Sequence, residues 1–198
     1  MGKNNLIFGI HPLIEALEAG REIDKILLKR GLRSSEVSHI MDVAKERTIP
    51  VQIVPEERLT RLTRKQHQGV IAFISEIEYT QLDQLIPMLY EEGRSPFVVL
   101  LDGLTDVRNF GAIARTAECA GVDAIIIPER GSVSVTADAV KTSAGALHRI
   151  PVCRVSSIQA AVTLLQENGI QIVAASEKAA DIYTESELSL PLGLVLGA

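Results

Sequence analysis

The sequence has 198 residues, 46% of them apolar and 23% charged, with a net charge of −5. That apolar share supports a real core and excludes a globally disordered chain. No apolar run approaches the roughly 18 residues of a membrane helix, and the opening MGKNNLIFGIHPLIEALEAG lacks the long apolar segment and cleavage site of a secretory signal.

Short β-type apolar runs alternate with amphipathic stretches, the pattern of an α/β fold with mainly parallel strands. Strands are expected near 5–9, 25–29, 50–54 and 69–75, and again near 97–102, 123–127, 150–153, 170–175 and 193–197. A helix over 12–19 has Pro12 in its first turn and Gly20 at its end. A second, over 35–47, starts at Ser34 or Ser35 and repeats Val37, Ile40, Met41 and Ala44 at helical spacing.

A third helix, over 55–64, opens on Pro55, Glu56 and Glu57, acidic residues suited to a helix start. Arg58, Arg61, Arg64 and Lys65 follow at the i, i+3, i+6, i+7 spacing that gathers side chains on one broad face. Such a face is either solvated and partly offset by Glu56 and Glu57, or a phosphate-contact surface. Residues 1–80 carry 12 Lys/Arg against 11 Asp/Glu, net +1, and residues 81–198 carry 8 against 14, net −6. A polyanion therefore meets the N-terminal portion first.

EIEYTQLDQLIPMLYEEGRSP, residues 76–96, reads as a connector with a helical stretch and a turn-rich end. It separates a small domain, 1–75, from a larger one, 97–198. The most informative segment is FVVLLDGLTDVRNFGAIARTAECAGVDAIIIP, residues 97–128. A buried strand ends in the loop Asp102–Arg108, and a helix from Asn109 to about Ala120 carries an apolar stripe of Phe110, Ile113, Ala114, Ala117 and Ala120. Gly121 closes it before the next strand. The loop lies at the carboxyl end of a strand, where open α/β sheets bind ligands.

A dinucleotide fingerprint needs G-x-G-x-x-G directly after the strand, but Gly103 and Gly111 are separated by seven residues. No G-x-x-x-x-G-K-[ST] occurs either. Asn109 has two readings, an N-cap or a ligand-facing amide; Arg115 is either a solvated helix arginine or a side chain leaning back toward the crevice and Asn109. Cys119 and Cys153 stand alone, without a CxxC or histidine pair. They suit a reducing cytoplasm and suggest no metal site.

LDGLTDVRNFGAIARTAECAGVDAIIIP resembles motif one of the SPOUT-class RNA methyltransferases, in the SpoU (TrmH-like) branch that methylates ribose 2′-oxygens. Phe8-Gly9-Ile10-His11 resembles the opening of that family's small RNA-binding domain, and His67-Gln68-Gly69-Val70 the segment that ends it. Val140-Lys141-Thr142-Ser143-Ala144-Gly145-Ala146-Leu147, followed by Ile150-Pro151-Val152, resembles a mid-domain signature. The resemblance covers essentially the whole chain in matching order. It points to the subgroup with a small N-terminal domain, whose best-known members modify large-subunit ribosomal RNA.

The resemblance implies a cytoplasmic, S-adenosylmethionine-dependent 2′-O-methyltransferase acting on RNA, most directly a guanosine of ribosomal RNA, and a homodimer. Transfer RNA is the alternative substrate, and a non-catalytic RNA-binding module the alternative class. Arg115 and Asn109 are the implied catalytic residues; Arg58, Arg61, Arg64, Lys65, His11 and His67 are the candidate RNA contacts. His11 and His67 read equally as helix-end histidines. Ala174, Ala175, Leu196 and Gly197 are the expected cofactor contacts, at the carboxyl ends of the strands 170–175 and 193–197. Neither a metal nor a membrane is implied. The family's second motif would begin at Leu194-Val195-Leu196-Gly197-Ala198. The resemblance thus leaves the trefoil-knot segment, most of the cofactor pocket and much of the dimer surface outside these residues, so that the 198 residues alone are expected to be inactive.

Overall fold

The computed structural model describes residues 6–63, 65–179 and 182–197, in two units, Met1–Glu76 and Ile77–Ala198. The first unit contains β1 (Leu6–Phe8), α1 (Ile10–Glu18), β2 (Ile23–Lys29), α2 (Ser35–Glu46), β3 (Val51–Val54), α3 (Glu56–Leu62) and β4 (Val70–Ile74). Its sheet runs β1-β4-β2-β3, with β4 antiparallel to both neighbours and only β2 and β3 parallel. The mainly parallel arrangement expected from the alternation therefore does not extend to this unit. The seven residues of α3 advance only about 10 Å, and the chain re-enters the sheet from the end it left.

On one face of this sheet, Leu13 and Leu17 of α1 and Val37, Ile40 and Ala44 of α2 pack on Ile23, Ile26, Leu28, Val70 and Ala72. Ser34 caps α2 by accepting a hydrogen bond from the Val37 N–H at 3.2 Å. Met41, expected in the apolar repeat, is 40% exposed, so the stripe is narrower than its spacing suggested. On the opposite face Leu59 of α3 covers Leu27, Val54 and Ile71, and Leu6, Phe8 and Phe73 are only partly buried against them.

The second unit contains β5 (Tyr79–Thr80), α4 (Leu82–Glu91), β6 (Phe97–Asp102), α5 (Val107–Cys119), β7 (Ala124–Pro128), α6 (Ala137–Thr142), a 3-10 turn (Ala146–His148), β8 (Val152–Val155), α7 (Ile158–Glu167), β9 (Gln171–Ala175) and β10 (Leu192–Gly197). Every adjacent pair of its sheet, ordered β5-β8-β7-β6-β10-β9, is parallel. Residues 77–96 are part of this unit rather than a free connector. β5 pairs with β8, and Leu82, Leu85, Ile86 and Leu89 of α4, at helical spacing, are buried against the strands.

From β6 the chain builds outward through β7 to β8, then crosses to the other side of β6 for β9 and β10. The sheet thus changes direction between β6 and β10. In open α/β sheets the crevice outside the strand ends at such a point is where ligands bind.

Candidate active site and RNA-facing surface

At the change of direction, Gly197 of β10 pairs with Asp102 of β6, and Leu196 pairs with Ala175 of β9. The three strands end level. Ala174, Ala175 and Gly197 are exposed there and Leu196 is half-buried, so the four expected cofactor contacts share one sheet edge.

The loop leaving β6 turns through Gly103, whose φ is 70°. It leads into α5, which starts at Val107, two residues earlier than expected. Asp106 is the N-cap, its Oδ1 accepting from the Asn109 N–H at 2.7 Å. Asn109 is therefore not the cap. It lies exposed in the first helical turn, where its side-chain amide is not used for capping. Arg115 is also exposed, one and two-thirds turns further on. At about 100° per residue the two point some 120° apart around the helix. Among the described residues no hydrogen bond joins the Arg115 guanidinium to Asn109, whose backbone N–H is bound by Asp106.

The buried side of α5 consists of Phe110, Gly111, Ala114 and Ala117. A Cβ on Gly111 would stand 2.8 Å from the Ala139 carbonyl oxygen of α6 and 3.0 Å from the Ser143 nitrogen, so α5 and α6 meet backbone to backbone. The segment Val140–Leu147 is thereby locked to the helix of the informative loop. Ser143, 1% exposed, donates its hydroxyl to the Val140 carbonyl at 2.8 Å and accepts from the Leu147 N–H at 3.3 Å. The turn it supports bends through Ala144 (φ 52°) and Gly145 (φ 83°). Sequence reasoning assigned Gly111 no part beyond the failed nucleotide fingerprint; the missed signal was a glycine in the middle of an apolar helical stripe.

Burial pushes the Cys153 thiol up to about 12, with Asp83 adding a smaller effect. Among the described residues no group of three or more His, Cys, Asp or Glu could hold a metal ion, and no helix is long and apolar enough to cross a membrane.

In the first unit the segments Phe8–His11 and His67–Val70 meet. The Gly9 N–H donates to the Val70 carbonyl at 3.1 Å, and Gln68 Oε1 accepts from the Ile10 N–H at 3.1 Å, capping α1 from 58 residues away. His67 Nδ1 accepts from the Gly69 N–H at 3.0 Å, which leaves Nε2 as the proton-bearing donor of the neutral ring. His11 is exposed in the first turn of α1.

Arg58 and Arg61 are exposed on α3. Lys65 is not on that helix, as the one-face reading required. β-Branched Thr63, at φ −151° and ψ 142°, is extended and ends α3. Arg64 lies outside the described residues. Lys65 instead sets its ammonium 4.7 Å from the centroid of the Phe8 ring. Lys29 Nζ lies 2.6 Å from Glu56 Oε2, and that hydrogen bond, reinforced by the lysine's charge, holds the Glu56 carboxyl below the usual carboxylate range. Lys29, Glu56, Lys65 and His67 line one open cavity of about 450 Å³.

Residues 96–198 match the model of the SpoU rRNA Methylase family, and residues 6–80 match that of the RNA 2′-O ribose methyltransferase substrate-binding domain. A protein of Staphylococcus haemolyticus, named for the TrmH family of tRNA/rRNA methyltransferases, is 38% identical over 193 residues, 98% of this chain and 78% of that protein. The fold is shared with an rRNA methyltransferase from Sinorhizobium meliloti, at a TM-score of 0.53 and 24% identity over 98% of this chain and 70% of the other. It is shared too with the SpoU methyltransferase AviRb from Streptomyces viridochromogenes in complex with AdoMet, at a TM-score of 0.53 and 22% identity over 97% of this chain and 72% of that one. Both units, in their order along the chain, lead to one conclusion: the chain belongs to the SpoU rRNA methylase family, among TrmH-type RNA methyltransferases.

Proposed function

We propose that the protein transfers a methyl group from S-adenosylmethionine to a ribose 2′-hydroxyl, with a guanosine of large-subunit ribosomal RNA as its target. The observation that carries the reading is the common ending of β6, β10 and β9, where the loop into α5 leaves the sheet at its change of direction. Family membership supplies the RNA methyltransferase class; the ribosomal target and the guanosine are our assignment. A homodimer and a cytoplasmic setting belong to the same proposal.

SpoU methyltransferases bind S-adenosylmethionine, and the strand ends suit such a ligand. A Cβ on Gly197 would meet nothing within 4 Å, so its backbone is open to close approach. Ala174, Ala175, Leu196 and Gly197 are assigned to the methionine and adenosine portions, mainly through backbone groups. When bound, the cofactor supplies a methyl carbon on a positively charged sulfur whose departure leaves a neutral thioether.

The task left to the protein is the nucleophile, since the hydroxyl must lose its proton as its oxygen bonds to carbon. An arginine stays protonated and cannot accept that proton. Arg115 accordingly serves as a fixed charge that stabilises the developing alkoxide and anchors the neighbouring phosphate, while the proton passes to water or phosphate. Pointing away from the arginine, Asn109 orients the ribose instead. Most of the acceleration comes from positioning. In the first unit Arg58, Arg61, Arg64, Lys65, His11 and His67 hold the RNA.

The test is a methyl-transfer assay on the full-length gene product with methyl-labelled cofactor and separate ribosomal and transfer RNA, followed by nucleoside analysis. The expected product is 2′-O-methylguanosine in the large-subunit RNA. Label confined to transfer RNA would reassign the substrate, and label on a base would overturn the ribose assignment. RNA binding without any transfer would favour a non-catalytic module.

A further inference from the structure

We propose that the face of the first unit's sheet that carries α3 is a stacking platform for an unpaired RNA nucleotide, with the Phe8 ring as its floor and Lys65 as the cation released to the RNA. The proposal rests on the reading of this unit as RNA-binding and adds the form of RNA it takes and the residue that recognises it.

The platform follows from the two faces of the sheet. One is filled by α1 and α2. The other is covered over Leu27, Val54 and Ile71 by Leu59 of α3. Toward β1, the edge strand, Leu6, Phe8 and Phe73 remain partly exposed. Phe8 pairs with Ile71 across the β1–β4 ladder, so Phe8 and Phe73 project from the same face as diagonal neighbours. Diagonal positions lie about 7–8 Å apart, within reach of consecutive splayed nucleotides.

Each ring has a lysine ammonium over it. Lys65 Nζ lies 4.7 Å from the Phe8 centroid and Lys25 Nζ 4.7 Å from the Phe73 centroid. Among the described residues Lys65 is in no ion pair. Arg58 and Arg61 stand exposed on the adjoining helix. An aromatic floor with a basic rim is complementary to nucleic acid: bases stack on the π-face while lysines track phosphates. A paired duplex keeps its bases inside and offers only phosphates. An unpaired nucleotide uses both parts of the surface. When it arrives, the base takes the ring face that Lys65 covers and the ammonium moves to the adjoining phosphate, so a weak cation–π contact is exchanged for stacking and a charge pair.

The 198 residues contain no tryptophan, so Phe8→Trp installs one fluorophore on the proposed floor. The variant is titrated with a single-stranded ribo-oligonucleotide and with the same strand in a duplex. Binding is followed independently by anisotropy of a dye on the RNA. Strong quenching of the introduced indole by the single strand is expected, and little by the duplex at equal saturation. Phe8→Leu, which keeps apolar bulk, should weaken single-strand binding about tenfold and leave duplex binding within about twofold, while Phe8→Tyr should bind like the parent. The leucine and tyrosine pair keeps the test decisive if the tryptophan variant folds poorly. Saturating anisotropy with unchanged indole emission, or equal losses for strand and duplex in Phe8→Leu, would overturn the platform while leaving this unit an RNA binder. No binding of either RNA by the parent would overturn both readings. Indole emission that shifts with protein concentration in the absence of RNA would assign the face to a second copy of the chain instead.

Discussion

A Cβ atom on Gly111 would stand 2.7 Å from the Cβ of Thr142, so helices α5 and α6 pack at a distance only a glycine permits. This contact joins the loop segment after β6 to the Ser143–Gly145 turn, and with it the two stretches of the second unit that most resemble the methyltransferase family.

Gly111→Ala should therefore destabilise the second unit. Alanine gains up to about 1 kcal/mol over glycine in a helix interior, but overpacking against a carbonyl and a backbone nitrogen costs about 1–3 kcal/mol. Because the obstructing Ala139 and Ser143 atoms are backbone, they cannot rotate away. Urea unfolding should show a lower midpoint with an unchanged slope; a midpoint at or above the parent's would mean the two helices separate freely.

Arg115→Ala in the full-length gene product should lower methyl transfer by about 10²–10³-fold, the usual cost of removing a preorganised charge donor. Cofactor affinity should stay within a few-fold, because the strand ends of β9 and β10 are untouched. Arg115→Lys should also be poor, since a point charge does not replace the planar fork. Single-turnover rates beside cofactor titration separate the two quantities, and near-normal turnover of the alanine variant would make Arg115 an ordinary surface arginine.

Neutralising Arg58, Arg61, Arg64 and Lys65 together should flatten the salt dependence of RNA binding. Each lost phosphate contact removes up to ~0.9 from the slope of log K against log salt on a duplex and ~0.7 on a single strand. Glutamine at all four positions, measured across a range of potassium chloride concentrations, gives the number of contacts directly. A slope equal to the parent's would show a solvated face.

The two thiols should differ sharply in reactivity. Cys119 is exposed and Cys153 is buried, its thiol pushed up to about 12. At pH 8 iodoacetamide should label Cys119 alone, with Cys153 reacting only after denaturant is added. The sign for stability follows from the same shift: between about 9 and about 12 the unfolded chain has lost a proton that the folded one keeps. Stability should thus fall as pH rises through that window, and should be indifferent to this group below it. Cys153→Ala should reduce the alkaline loss; an identical pH profile in the variant would assign the loss to other groups.

Much of the fold was legible because periodicity reports burial. The runs at 97–101 and 124–127 are hydrophobic throughout, as strands covered on both faces must be, and they form β6 and β7 at the centre of a parallel sheet. The Ser34 cap and the start of α2 could be read locally, since a serine oxygen and an N–H three residues on need no distant partner. The residues 82–89 were harder, because the turn-rich Glu-Glu-Gly-Arg-Ser-Pro that follows suggested a linker. Their apolar spacing was the better guide, and α4 packs into the core.

By itself the sequence determined the α/β class, the order of the longer strands and the family, all of which depend on residue pattern along the chain; the two-residue β5 and the helices α6 and α7 were not among its expected elements. Tertiary structure alone decided that β4 enters its sheet antiparallel, that Lys65 leaves the helix to cover Phe8, and that Gln68 caps a helix from 58 residues away. It also decided that Gly111 serves a helix contact instead of a nucleotide. Each of these depends on which atoms meet across the fold. Hydrophobic spacing specifies which side of an element is buried, but not the partner that it is buried against.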